Sequence, residues 1–206
     1  MTAVGKTTRL DAINRILSAI GEQPVNTLVG DVPPEVAVAS QILDEVDLEG
    51  QSRGWSFNTE DEITLVRDVD NKIAVPANVT RIHVDRFRYP SLDITARDDG
   101  GVYRLYDKVG HTFVLSSDVV AQLIYQFDFE RTPESYRRYV VTKAARVMQD
   151  RTVGSGPHHQ YTEQDERRAL QFLKQHEDTV DERSIFDSYA AFRVIDRQYP
   201  FIRRGL

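Results

Sequence analysis

The sequence predicts an α+β fold: a bundle of about four helices, an inserted antiparallel β region, and a C-terminal arm. Three observations carry this expectation. Apolar residues recur at spacings of three and four before residue 58 and again after residue 130. Between these blocks the period falls to two, in short runs broken by turn formers. From residue 184 onward the chain is strongly apolar and aromatic without a clean period. Helices, then strands, then helices pack most economically when the helices share one core and the sheet is inserted between them. The expected division is a discontinuous helical domain (1–58 and 130–183), a β domain (59–129) and an arm (184–206).

The first helix is expected over Arg9 to Ile20, where Leu10, Ile13, Leu17 and Ile20 form one stripe. Thr7 or Thr8 can cap it, and Gly21 is a suitable stop. The second helix begins near Pro34, because proline is tolerated in a first turn. It buries Val36, Ala39, Ile42, Leu43 and Val46, while Asp44, Glu45, Asp47 and Glu49 fall largely outside that stripe. Gly50 weakens or ends it before Trp55, the only tryptophan of the chain.

Short strands follow around Ile63 and Leu65, Ile73 and Val75, and Val79, Ile82 and Val84. The turn Asp98-Asp99-Gly100-Gly101 joins LDITAR and VYRLYD as a hairpin. A second turn at Val109-Gly110-His111 leads to TFVLSS, and AQLIYQFDF supplies a further strand. Together these make an antiparallel sheet or a small barrel. Helical spacing returns at Pro133 and ends near Asp150, with Tyr136, Tyr139 or Val140, Ala144 and Val147 on one face. RTVGSGPHH reads as a loop, Thr162 with Asp165 as a capping box, and Ala169, Leu170, Phe172 and Leu173 as the face of a fourth helix that fades by Val180.

Bulk properties narrow the function classes. The chain has 206 residues, no cysteine and a formal net charge of −6. Disulfides, thiol nucleophiles and cysteine-ligated metals are excluded. The acidic balance argues against a dedicated nucleic-acid binder and leaves open a protein that lets nucleic acid pass without holding it, since a like-signed surface repels phosphate. No apolar run approaches the ~18 residues of a membrane span, and the N-terminus lacks a secretory apolar region, so folding in a reducing cytoplasm is expected and a membrane partner is not.

Candidate chemistry is sparse, and the sequence predicts no catalytic, cofactor-binding or metal-ligating residues. Gly5-Lys6-Thr7-Thr8 has the end of a phosphate-binding loop, but such a loop also needs an earlier glycine and a preceding strand, which the four residues before Gly5 do not supply. His158 and His159 are adjacent and cannot share a helix face as ligands, and His83, His111 and His176 are scattered. The carboxylates Glu60-Asp61-Glu62, Asp68 with Asp70, and Asp98-Asp99 offer pairs for a glycosidase, without any sign of a raised pKa. Trp55 and Phe57 could stack on a sugar, but an aromatic at a helix-to-sheet corner more commonly fills the core. The stretch from Ile185 to Ile202 would be an aggregation hazard in water. It either packs back on its own domain or docks on another subunit or another protein, ordering on assembly. For the second case the candidate interface residues are Phe186, Tyr189, Phe192, Arg193, Arg197, Tyr199, Phe201, Arg203 and Arg204.

Three stretches, in order and at matching spacing, carry a family resemblance: IGEQPVNTLVGD (20–31), QSRGWSFNTE (51–60) and PESYRRYVVTKAARVMQDR (133–151). Together they resemble the tail tubular protein A family of short-tailed bacteriophages, the head-to-tail adaptors or gatekeepers. The resemblance implies a mostly helical body with a β insertion, assembled as a dodecameric ring in the virion. It implies a location in the tail at the portal vertex, reached after assembly in the host cytoplasm. The implied partners are other copies of the chain, the portal protein, tail tubular protein B (the nozzle), a tail fibre, and genomic DNA passing through the channel. It brings no cofactor and no catalytic residue. From a different class, a tail-associated hydrolase of polysaccharide or peptidoglycan stays open, alone or alongside the adaptor role.

Overall fold

The computed structural model describes residues 6–152, 154 and 156–187, and the chain adopts the α+β class expected. Helix α1 spans Arg9–Ala19. Thr8 caps it by accepting from Asp11 N, while Asp11 accepts in return from Thr8 N, a reciprocal box that satisfies two orphan donors. Gly21, at φ +82°, ends it. Helix α2 spans Pro34–Gln51, α3 Glu134–Thr152 and α4 Gly156–Asp187.

One apolar core binds the helices. Ile13, Ile16 and Leu17 of α1 meet Ile42 and Leu43 of α2, Tyr136, Tyr139, Val140 and Met148 of α3, and Leu173 of α4. α3 lies at the centre, against each of the other three. Arg137 is buried on α3 and donates to Thr132 O and Thr7 O, which holds the segment before α1 against the bundle. Thr7 N and its hydroxyl both donate to Glu134. The Gly5-Lys6-Thr7-Thr8 stretch thus places Thr7 in a clasp and Thr8 in a cap.

The inserted segment forms two small sheets with a core of their own, built on Leu65, Ile73, Leu105, Leu115, Val119 and Leu123. β1 (Thr59–Leu65), β5 (Val119–Tyr125) and β2 (Val79–Val84) make an antiparallel sheet in the order β1-β5-β2. β3 (Ile94–Asp99) and β4 (Val102–Asp107) make the expected hairpin over Gly100 and Gly101. β1 is an outer strand that resists pairing. Glu60, Asp61 and Glu62 are exposed on it, the register breaks between Glu60 and Ile63, and Glu62 sits at φ 56°.

Four details correct the sequence expectations. Ile73–Val75 is not a strand: Ala74 makes a single bridge to Arg104, because the Asp68–Lys72 turn precedes it and Pro76 follows. TFVLSS likewise contributes only the bridge Asp107–Thr112. Gly50 lies within α2 rather than ending it. α4 begins at Gly156, so part of the expected loop is helical and Thr162 lies inside the helix instead of capping it. Pro157 is compatible with this start, since the first helical turn needs no N–H donor there.

Candidate functional site: the helix-to-sheet junction and its cleft

The stretch QSRGWSFNTE spans the end of α2, a tight corner and the start of β1. Gln51 is fully buried and acts as a rung between the two architectures. Its Nε2 donates to Phe127 O at 2.8 Å, and its Oε1 accepts from Phe127 N at 2.8 Å. Asn58 works the same way on the other side, donating through Nδ2 to Gln51 O and Tyr125 O and accepting from Trp55 N at Oδ1. Two amide side chains therefore satisfy backbone groups that neither a helix nor a sheet would pair at this corner.

Gly54 is required at the bend. Its φ is +79°, and a Cβ there would fall 2.7 Å from Ile124 Cδ1. Trp55 then turns inward. Its Nε1 donates to Gly50 O at 2.9 Å, and its ring meets Tyr136 edge-on with centroids 6.4 Å apart. Phe57 packs on the same tyrosine at 5.1 Å. Tyr136 is wholly buried and donates its hydroxyl proton to Asp47 O at 2.9 Å. Burial and the neighbouring Asp47 carboxylate push its pKa far up, so it stays a neutral donor. The aromatic pair is thus a structural corner, and α4 closes it from outside where Glu177 accepts from Ser56 N at 2.6 Å.

Beside this corner lies an open cleft of about 620 Å³, lined by Arg9, Asp44, Asp47 and the segment Gln126–Arg131. Arg9 grips Asp44 through two parallel hydrogen bonds of 2.7 and 2.8 Å. Asp47 differs from the sequence expectation: it is buried, only 5% exposed, and both its oxygens accept from Gln51 Nε2. Burial raises its pKa, opposed by the hydrogen bonds from Gln51 and by the nearby Tyr136 hydroxyl. Sequence reasoning missed Asp47 and Gln51 because a polar residue four positions from another on a helix carries no signal of burial.

The other carboxylates hold local structure. Asp68 accepts from Arg104 and from the N–H groups of Lys72 and Asp70, which together keep its pKa below the ordinary range. Asp98 accepts from Gly101 N in the hairpin turn, and Asp99 pairs with Lys72 at 2.7 Å. Asp61 accepts from Gln122 across β5. Among the described residues no three of His, Asp or Glu come together as a metal site, and no helix is long and apolar enough to cross a membrane. His83 is exposed on β2, His111 sits at a turn with φ 50°, and His176 is exposed on α4. Of the nine interface candidates, Phe186 falls in the last turn of α4, and Tyr189, Phe192, Arg193, Arg197, Tyr199, Phe201, Arg203 and Arg204 lie outside the described residues.

Compared with protein families, residues 10–183 match a family described as tail tubular protein. No curated protein matches the chain.

Proposed function

Because this chain belongs to the tail tubular protein family of phages, and so is a structural component of the virion tail, we propose that it is the adaptor ring between portal and tail nozzle. Copies stand side by side as a dodecameric ring and extend the channel through which DNA leaves. The portal protein binds one face, tail tubular protein B the other, and the tail fibre attaches near that second junction. Assembly takes place in the host cytoplasm, and the ring ends at the portal vertex.

The match over residues 10–183 carries this reading, and the build of the junction supports it. A wedge in a pressurised wall must transmit load without shearing. Here helix bundle and sheet are tied by buried amide hydrogen bonds and one aromatic cluster rather than by a flexible linker. The net charge of −6 suits a wall past which DNA slides. The chain is read as two domains, 1–58 with 130–183 and 59–129, plus an arm at 184–206. In that arm Phe186, Tyr189, Phe192, Tyr199 and Phe201 supply apolar contacts with a neighbour or the portal, and Arg193, Arg197, Arg203 and Arg204 supply charge pairs.

Cryo-electron microscopy of virions tests the placement. Density for this chain at the vertex between capsid and tail is expected, and density elsewhere in the particle overturns it. A second reading, hydrolysis of polysaccharide or peptidoglycan, rests on Asp47, the one described carboxylate whose pKa is raised and which borders a cleft. Asp47→Asn would then abolish release of sugar from envelope fractions while leaving the fold intact. Under the adaptor reading that substitution touches no turnover.

A further inference from the structure

At the end of the sheet remote from the helices, the segment between β2 and β3 holds Phe87 at 97% exposure. The segment is fixed by its own hydrogen bonds. Asp85 Oδ1 accepts from Phe87 N at 2.8 Å, Asp85 O from Tyr89 N at 3.0 Å, and Tyr89 O from Leu92 N at 3.1 Å. Tyr89 also accepts at its hydroxyl from Val120 N, and its ring packs with Leu92 on the sheet core. A preformed tip that keeps a phenylalanine in water loses little entropy on docking and has apolar area to bury. Arg86 and Arg88 are its neighbours in sequence. Arg86 approaches Asp93 only to 3.7 Å, and Arg88 has no ion-pair partner among the described residues.

The cleft at the junction has the complementary character. Four carboxylates stand there against two guanidiniums, a formal surplus of two negative charges; Arg9 is held by Asp44, exposed Arg131 pairs with Asp128 at 3.3 Å, and Glu130 accepts from Arg9 N. Phe127 offers a half-buried ring, stacked on Tyr125.

We propose that Phe87 of one copy seats in the junction cleft of the next, with Arg86 and Arg88 paired to Asp128 and Glu130 on its rim. A single chain cannot make this contact with itself. Val84 pairs with Ala121 at one end of the sheet and Val79 with Tyr125 at the other, so loop and cleft stand about 20 Å apart along the strands. The contact is therefore head-to-tail, the kind that closes a ring when its rotation permits. It rests on the reading that copies assemble side by side, and it names the surfaces through which they do so.

The chain has no cysteine, which makes the test clean. The full-length double variant Arg88→Cys with Asp128→Cys is treated with a short bis-maleimide, alongside each single variant. A ladder of covalent multimers is expected from the double variant alone. Phe87→Asp should leave the melting temperature unchanged and weaken self-association in sedimentation about tenfold or more. If the wild type self-associates, alone or on its portal, but there is no ladder and Phe87→Asp associates normally, the docking proposal is overturned while the ring reading stands. Phe87 would then serve another tail component. If the wild type associates under neither condition, both fail.

Discussion

Gly50→Ala is the sharpest test of how the junction is packed. On helix propensity alone the change should stabilise α2 by about 1 kcal/mol, since glycine is the poorer helix former. The structure reverses the sign. A Cβ at Gly50 would run into Tyr136 Oη and stand 3.2 Å from its Cζ. Tyr136 has no room to yield, being wholly buried between Trp55 and Phe57 with its hydroxyl on Asp47 O. Overpacking of this kind costs about 1–3 kcal/mol, so a net loss of up to about 2 kcal/mol is expected after the propensity gain. Tyr136→Phe removes the clashing oxygen and one hydrogen bond, costing about 1 kcal/mol alone. In a urea-denaturation cycle the alanine should therefore be neutral or stabilising by up to about 1 kcal/mol on the phenylalanine background, a coupling of about 1–3 kcal/mol. If Gly50→Ala stabilises the wild type, or the two changes simply add, the close approach of α2 and α3 described here is wrong.

Three further outcomes follow from the same contacts. Gln51→Leu leaves Phe127 N and O and the Asp47 carboxylate without their partner, and a loss of about 3 kcal/mol or more by chemical denaturation is expected. A loss under 1 kcal/mol would mean that the rung does not join the two layers. Asp47 is raised by burial, so its share of stability is greatest at low pH and falls as pH rises from the ordinary aspartate value through the folded one. Asp47→Asn should flatten that fall in a series of melts across mildly acidic to neutral pH, and an unchanged profile would contradict the burial. Glu134 runs the other way. Burial opposes its ionisation, but the hydrogen bonds from the Thr7 hydroxyl and N–H outweigh it and hold its pKa below the ordinary glutamate value. Its contribution is present above that ordinary value and is lost as pH falls through the folded one, so Glu134→Gln should shrink the acid limb of the same series.

The parts of this fold that were legible in the sequence are those fixed by local pattern. The stripe of α1, its threonine cap, the buried face of α2 and the hairpin over Gly100-Gly101 each declare themselves within a dozen residues. Trp55 was readable as a corner because the period changes on either side of it. What stayed hidden depends on residues far apart in sequence. Gln51 is buried only because Phe127 arrives beside it, and Asp47 only because Gln51 and Tyr136 cover it. Ile73–Val75 has the alternation of a strand, yet the turn before it and the proline after it leave room for one bridge. The start of α4 is obscured by Gly156 and Pro157, residues that mark loops on average but are tolerated at a first helical turn. Phe87 carries no signal of its own in the sequence, since its exposure is a property of the folded sheet.

The central claim is that this chain functions through contacts between copies and with the portal. Its most direct test is mass: native mass spectrometry or light scattering of the purified full-length protein alone, then mixed with its cognate portal. The expected result is a portal-bound complex holding one closed ring of this chain. A portal that elutes at its own mass, with this protein unbound at every ratio, would contradict it.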